Sequence, residues 1–252
     1  MAEPILVRHD SGTVTILLNR PDSRNALSHD LLTALADALA AQNNPDITGV
    51  NITGAGLCFS AGADYRELTG TIKDLTIDED IARVTHNIRT LSVPVSAVIN
   101  GACLGGAVDI ALACHQRVAT HNAYFQVPAT RLGILYNPAS VQRMVQRYGK
   151  EIVIRLLVMG ERFDAPAALA AGLVSSLTGS GSVADTTQVQ PDNSQEVLSP
   201  VATATKKMID AIERDDFDAE YWEQVRRDFL SSKQRFEAVV AFKSRMGELG
   251  SE

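Results

Sequence analysis

Two short runs of small residues carry the first chemical signal in this chain. One is Cys58-Phe59-Ser60-Ala61-Gly62-Ala63-Asp64; the other is Asn100-Gly101-Ala102-Cys103-Leu104-Gly105-Gly106-Ala107-Val108-Asp109. Each follows a stretch that reads as a buried strand, and the second opens a helix. Where side chains are this small a ligand can reach the main chain, so unpaired N–H groups can point at it. Two such sites facing each other would hold one oxygen between two amides, which is an oxyanion hole. Close helix–strand packing alone would also select glycine and alanine, and composition leaves both readings open.

The elements that must position these runs are legible in outline. Val14 to Leu18 is apolar and β-branched and reads as a strand ending at Asn19-Arg20-Pro21. Ser28 is placed to cap a helix whose Leu31, Leu32, Leu35 and Leu39 recur at helical spacing. Val50 to Thr53 reads as a strand delivering the first run, and Val95 to Ile99 as a strand delivering the second. Between them, Glu67 to Glu79 is polar and mixed, a loop or short helix, before Ile81, Val84, Ile88 and Leu91 mark an amphipathic helix. Gly105 to Cys114 is then a helix whose first turn carries the glycines, and its N-terminal partial positive charge would favour a developing anion. Gln116 to Ala119 and Tyr124 to Val127 read as short strands. Helices follow over Val141 to Tyr148, Glu151 to Met159 and Ala165 to Ala171. Thr178 to Ser194 is rich in Gly, Ser, Thr, Asp and Gln and reads as a connection to an amphipathic helix after Pro200 and charged helices beyond it.

A chain of 252 residues, 45% of them hydrophobic, can bury one sizeable core, alone or with a helical extension. The expected division is a core domain over 1–195 and a helical extension over 196–252. A net charge of −7 argues against a nucleic-acid binder, which needs a basic face. Cys58, Cys103 and Cys114 lack any paired spacing, so neither a disulfide framework nor a zinc site is expected. With no apolar signal core after Met1 and no run of membrane-helix length, a reducing, cytoplasmic setting without membrane partners is the expectation. There is no dinucleotide fingerprint, Walker loop, nucleophile elbow or H-E-x-x-H, and the five histidines are scattered.

In these runs, and in Asn25-Ala26-Leu27-Ser28, Phe125-Gln126-Val127-Pro128, Leu132-Gly133-Ile134 and Ala171-Gly172-Leu173-Val174, the chain resembles the crotonase superfamily, the enoyl-CoA hydratases and isomerases. The pieces occur in family order. The resemblance implies an α/β fold, a spiral of ββα units with a C-terminal helical extension, and an enzyme, of the lyase type, acting on acyl-CoA thioesters. It implies a homo-oligomer, a trimer or hexamer. No separate cofactor and no metal are expected, since CoA is part of the substrate. By match to the family motif, the oxyanion donors are the backbone N–H groups of Ala63 and Gly106. The CoA arm is expected along Arg24 to Ala26 and Ala61 to Arg66, taking in Arg24, Ala26, Ala61, Asp64, Tyr65 and Arg66, with Gly105, Ala129 and Asn137 completing the thioester site. Arg20, Arg24 and Arg66 are candidates for the CoA phosphates or are plain surface arginines.

Hydratases of this family use two glutamates, and here those positions hold Asp109 and Ala129. Asp109 keeps a carboxylate one methylene shorter, while Ala129 can neither take nor give a proton. General acid–base help contributes about 10²–10⁴-fold, so efficient hydration of crotonyl-CoA is not expected. Asn137 stands where related dienoyl-CoA isomerases and dehalogenases carry an acidic group, and an amide is no carboxylate nucleophile. Leu132-Gly133-Ile134-Leu135-Tyr136-Asn137 is similar to a segment of methylmalonyl-CoA decarboxylases, which makes Tyr136 a candidate to orient a departing carboxylate or to line the acyl pocket. Three readings stay open: a hydratase/isomerase-type enzyme using Asp109, a malonyl-type decarboxylase using Tyr136, and an acyl-CoA binder without turnover.

Overall fold

A computed structural model describes residues 3–42, 44–179 and 198–249. The chain forms two compact units that are each discontinuous in sequence. The first takes its described residues from 1–64, 77–126 and 163–187, the second from 65–76, 127–162 and 188–252. The boundary expected at 195/196 and most of the connection expected over 178–194 lie outside the described residues.

In the first unit, β1 (Ile5–Asp10) and β2 (Thr13–Leu18) form a hairpin, and α1 (His29–Ala40) follows. The Ser28 hydroxyl accepts from the Leu31 N–H and starts α1, a cap worth about 1 kcal/mol. Leu31, Leu32, Leu35 and Leu39 are all buried, as their spacing requires. Next come β3 (Gly49–Gly54) and β4 (Cys58–Ser60), then α2 (Leu75–Thr90), β5 (Val95–Ile99), β6 (Ala102–Leu104) and α3 (Gly106–Ala113). β7 (Gln116–Thr120) and β8 (Tyr124–Gln126) complete the repeat, and β9 (Phe163–Asp164) and β10 (Ser176–Thr178) return to the two sheets.

One sheet has the order β1-β2-β3-β5-β7-β10 and the other β4-β6-β8-β9. In both, the middle strands pair in parallel, so each strand pair that visits both sheets needs a crossover before the next. The result is a repeated ββα plan. Along β2 the buried residues are Val14, Ile16 and Leu18, the alternation that made this strand readable in sequence.

The second unit is helical. After α4 (Pro138–Tyr148) and α5 (Lys150–Val153), and after α6 (Ala165–Ala170) of the first unit, come α7 (Pro200–Glu213), α8 (Ala219–Leu230) and α9 (Lys233–Leu249). α4 packs against α7 and α8. A buried ion pair closes this unit: Arg235 of α9 donates to Asp74 at 2.8 Å and to the Leu132 carbonyl at 2.8 Å, with side-chain exposures of 1% and 3% for the two charges. Asp74 also accepts from the Thr69 N–H, the Thr69 hydroxyl and the Gly70 N–H, so one carboxylate organises the 69–74 turn.

Two sequence expectations are corrected, and three strands that no pattern marked are added. α2 starts at Leu75 rather than near Ile81, because Thr71 and Asp74 tie the preceding turn and Leu75 and Ile77 are buried despite their polar neighbours. The single helix expected over 151–159 is α5 followed by a π-turn at Ile154–Val158. Leu156, Leu157 and Val158 are consecutive and all buried, so no helical periodicity marks the change from α5 to the wider turn. The small-residue runs themselves contain strands, β4 and β6, too short for any periodicity to show. β1 is an edge strand with no fully buried residue, Ile5 and Leu6 being half-buried and Val7 to Asp10 exposed, so it lacks a core pattern.

Replacing Arg235 with Leu should strand the Asp74 charge in the interior and destabilise the protein by about 3–5 kcal/mol. A loss under about 1 kcal/mol in urea unfolding would show that solvent reaches this pair.

Candidate active site

The two small-residue runs meet in the first unit. β4 pairs in parallel with β6, Cys58 opposite Ala102 and Ser60 opposite Cys103. Beyond β4 the chain turns at Gly62, φ +83°, with its Cα against Leu104 and Gly105: a methyl group there would sit 2.7 Å from the Leu104 carbonyl oxygen. Only glycine satisfies both the dihedral and the approach. The Asn25-Ala26-Leu27-Ser28 segment joins them through an isolated parallel bridge, Leu27 opposite Ala63.

Hydrogen bonds decide which N–H groups remain available. Ala61 N–H donates to the Arg24 carbonyl at 2.9 Å, Gly62 N–H to the Ser60 hydroxyl at 3.2 Å and Asp64 N–H to the Leu27 carbonyl at 2.9 Å. Ala63 is the exception in this stretch: among the described residues its N–H donates to no protein acceptor. Its direction is nevertheless set. Leu27 N–H donates to the Gly62 carbonyl at 2.8 Å, and in a planar trans peptide the Ala63 N–H points opposite to that carbonyl.

Gly106 repeats the arrangement. Gly105, the N-terminal flank of α3 at φ +54°, turns its carbonyl into the helix to accept from Val108 N–H at 3.0 Å. The Gly106 N–H, opposite in the same peptide plane, therefore leaves the helix N-terminus outward, where the partial positive charge of the helix lies. A methyl on Gly106 would lie 2.6 Å from Ile81 Cδ1 and 3.6 Å from Leu27 Cδ1, so apolar side chains wall this amide. Asp109 is in the first turn of α3, only 2% exposed, and is engaged in an interaction of its own.

The other expected residues divide between the units. Arg24, exposed and in the left-handed region at φ +51°, Ala26, Ala61, Ala63, Asp64, Gly105, Gly106 and Asp109 belong to the first. Tyr65, Arg66, Ala129, Tyr136 and Asn137 belong to the second. Arg66 is exposed, with its carbonyl accepting from Lys243, and Tyr65 stacks edge-on against Phe242 at 6.2 Å. Ala129 is buried at the start of a 3-10 turn, Ala129–Leu132. The Asn137 side-chain oxygen caps α4, accepting from Ala139 N–H and Ser140 N–H, so the residue type there answers a structural need. Arg20, one of the phosphate candidates, is half-buried and already engaged: it donates to Asp64 at 3.0 Å and to the Ala26 carbonyl at 2.7 Å.

Two residues that carry the geometry gave no chemical signal in sequence. Leu27 acts through its main chain alone. Asn25, fully buried at φ +53°, donates to the Ala55 and Cys58 carbonyls and accepts from Arg20 N–H, which fastens the loop before α1 to the turn before β4. Among the described residues no cluster of three potential metal ligands occurs, and no helix is long and apolar enough to cross a membrane.

The fold defines a class, and comparison with known proteins gives the family. The enoyl-CoA hydratase/isomerase family model matches residues 8–246. The 2,3-dehydroadipyl-CoA hydratase of Escherichia coli strain K12 is 33% identical over 174 residues, 69% of this chain and 68% of its own. A solved structure from Hyphomonas neptunium, titled a putative enoyl-CoA hydratase/isomerase family protein, is 33% identical with a TM-score of 0.67, covering 71% of this chain and 70% of that one. A methylmalonyl-CoA decarboxylase structure superposes with a TM-score of 0.76 over 97% of each chain at 20% identity, a likeness of fold. The chain belongs to the enoyl-CoA hydratase/isomerase family.

Gly62→Ala should cost at least about 2 kcal/mol, combining left-handed strain with collision against Leu104; a denaturation midpoint unchanged from wild type would remove the close approach from this account. The thiols flanking the runs give a second check. Burial pushes the Cys58 thiol up, partly opposed by Arg24, and pushes Cys103 well up, aided by its neighbouring thiols. Less thiolate is then present at a given pH, so iodoacetamide at about pH 8 should leave both unlabelled in the folded protein and label both in urea. Native labelling of Cys58 at the rate of a free thiol would contradict this.

Proposed function

We propose that this protein is an acyl-CoA thioester enzyme that holds the thioester oxygen between the Ala63 and Gly106 N–H groups. The observation that carries the reading is that two N–H groups on touching backbone segments are each aimed outward by a hydrogen bond on the other side of the same peptide plane. When a proton leaves the carbon next to the thioester carbonyl, its electron pair moves onto that oxygen, and both amides strengthen their hold as the charge grows. Losing one donor of this kind typically costs about 10²–10³-fold in rate. The donors need no side chain, which accounts for alanine and glycine at both positions.

Asp109 is the proton carrier in this reading, taking the proton from that carbon and returning it to the product. It is the one carboxylate at a position where the family places its acid–base groups. Ala129 removes the second, so addition of water to crotonyl-CoA should be slow, and substrates whose chemistry needs a single proton-carrying group are favoured. CoA is part of the substrate, and the reading calls for no cofactor.

Turnover of a panel of enoyl-, dienoyl- and malonyl-type thioesters, with acetoacetyl-CoA binding followed by calorimetry, tests this. Asp109→Asn should retain binding and lose about 10²-fold or more of whichever turnover is found, while Ala129→Glu should raise crotonyl-CoA hydration. Undiminished turnover in Asp109→Asn would end the acid–base role. Turnover confined to methylmalonyl-CoA would transfer the chemistry to the Tyr136 reading, and the absence of any thioester binding at millimolar concentration would overturn the whole proposal.

A further inference from the structure

Arg20 sits at the start of a chain of hydrogen bonds that ends on the Ala63 N–H. Its guanidinium donates to the Ala26 carbonyl at 2.7 Å. The Leu27 N–H, at the other end of that same peptide group, donates to the Gly62 carbonyl at 2.8 Å. The Ala63 N–H, at the other end of the next peptide group, is the proposed oxyanion donor. Asp64, 2% exposed, holds the guanidinium from the opposite side at 3.0 Å. The backbone at Arg20 is fastened by Asn25, whose side chain accepts from the Arg20 N–H at 3.0 Å and whose N–H donates to the Arg20 carbonyl at 2.8 Å. A cation on a carbonyl oxygen polarises the amide behind it, and bonds in such a chain strengthen one another by about 10–30% each.

We propose that Arg20 is a positioning and polarising residue for the oxyanion site: its charge, relayed through the Ala26–Leu27 and Gly62–Ala63 peptide groups, aims the Ala63 N–H and makes it a stronger donor. This rests on the oxyanion reading above. It moves Arg20 out of the set of CoA phosphate contacts and gives Asp64 the task of orienting the guanidinium rather than touching substrate. The planar fork of arginine suits this task because one arm can serve the Ala26 carbonyl while another meets Asp64. Lysine keeps the charge but reaches both acceptors with a single nitrogen.

The test reads the polarisation itself. Octanoyl-CoA labelled with ¹³C at the thioester carbonyl, bound at saturation, should show a downfield carbonyl shift in the wild-type protein relative to free ligand. Arg20→Met should bind the thioester within about threefold of wild type, lose half or more of that shift, and lower any turnover through kcat rather than KM. Arg20→Lys should restore part of the shift. Arg20→Gln, which removes the charge while keeping a side chain that can donate to the Ala26 carbonyl, should also reduce it and serves if Arg20→Met does not fold. A full shift in a folded Arg20→Met or Arg20→Gln protein overturns the relay. Weakened binding of octanoyl-CoA with the shift intact, absent when the 3′-phosphate is removed from the ligand, overturns it in favour of phosphate contact. No shift in wild type despite binding withdraws the oxyanion reading and the relay with it.

Discussion

The planarity of the peptide bond, acting through one isolated bridge between Leu27 and Ala63, is the constraint on which the site depends. An N–H group that donates to no protein acceptor is aimed here by capture of the carbonyl on the far side of its own peptide plane. Leu27 does this for Ala63, and the first turn of α3 does it for Gly106. The ββα plan can be understood as the support for these two captures. Parallel pairing of β4 with β6 brings the two runs alongside, and the helices that follow provide the crossovers that parallel strands need.

Residue size then decides how close the segments come. Gly62 must approach the Leu104 carbonyl, which leaves no space for a Cβ at that position. The polar side chains nearest the runs serve the main chain: Asn25 spans two carbonyls, Ser60 accepts from Gly62, and Asp64 holds Arg20. This division of labour explains why a site with one family-position carboxylate still needs several buried polar residues around it.

The second unit relies on a different interaction. Asp74 satisfies four donors, two from side chains and two from main chain, and Arg235 reaches it from a helix far away in sequence while also holding the Leu132 carbonyl. A buried pair of this kind adds little net stability compared with apolar packing, but removing one partner is costly, so it defines where α9 must sit.

By itself the sequence determined the regular elements whose pattern is local: the Val14–Leu18 alternation, the leucine spacing of α1 with its Ser28 cap, and the strands leading into both small-residue runs. It also determined the family, because the runs recur in a fixed order, and it singled out Asp109 and Ala129 as departures. What it could not contain was any pairing between distant main-chain groups, since Leu27 carries its message in an N–H and a carbonyl common to nearly every residue. Arg20 read as a phosphate candidate or a surface arginine, and only the fold showed Asp64 and the Ala26 carbonyl beside it; the cap that the Asn137 oxygen places on α4 was likewise visible only in the structure. β4 and β6 were invisible because three residues cannot display a period, and the start of α2 because buried apolar residues were interleaved with charged ones. Side-chain patterns are written in the order of the chain; the aim of the Ala63 N–H is decided only when the distant Leu27 arrives to take the carbonyl behind it.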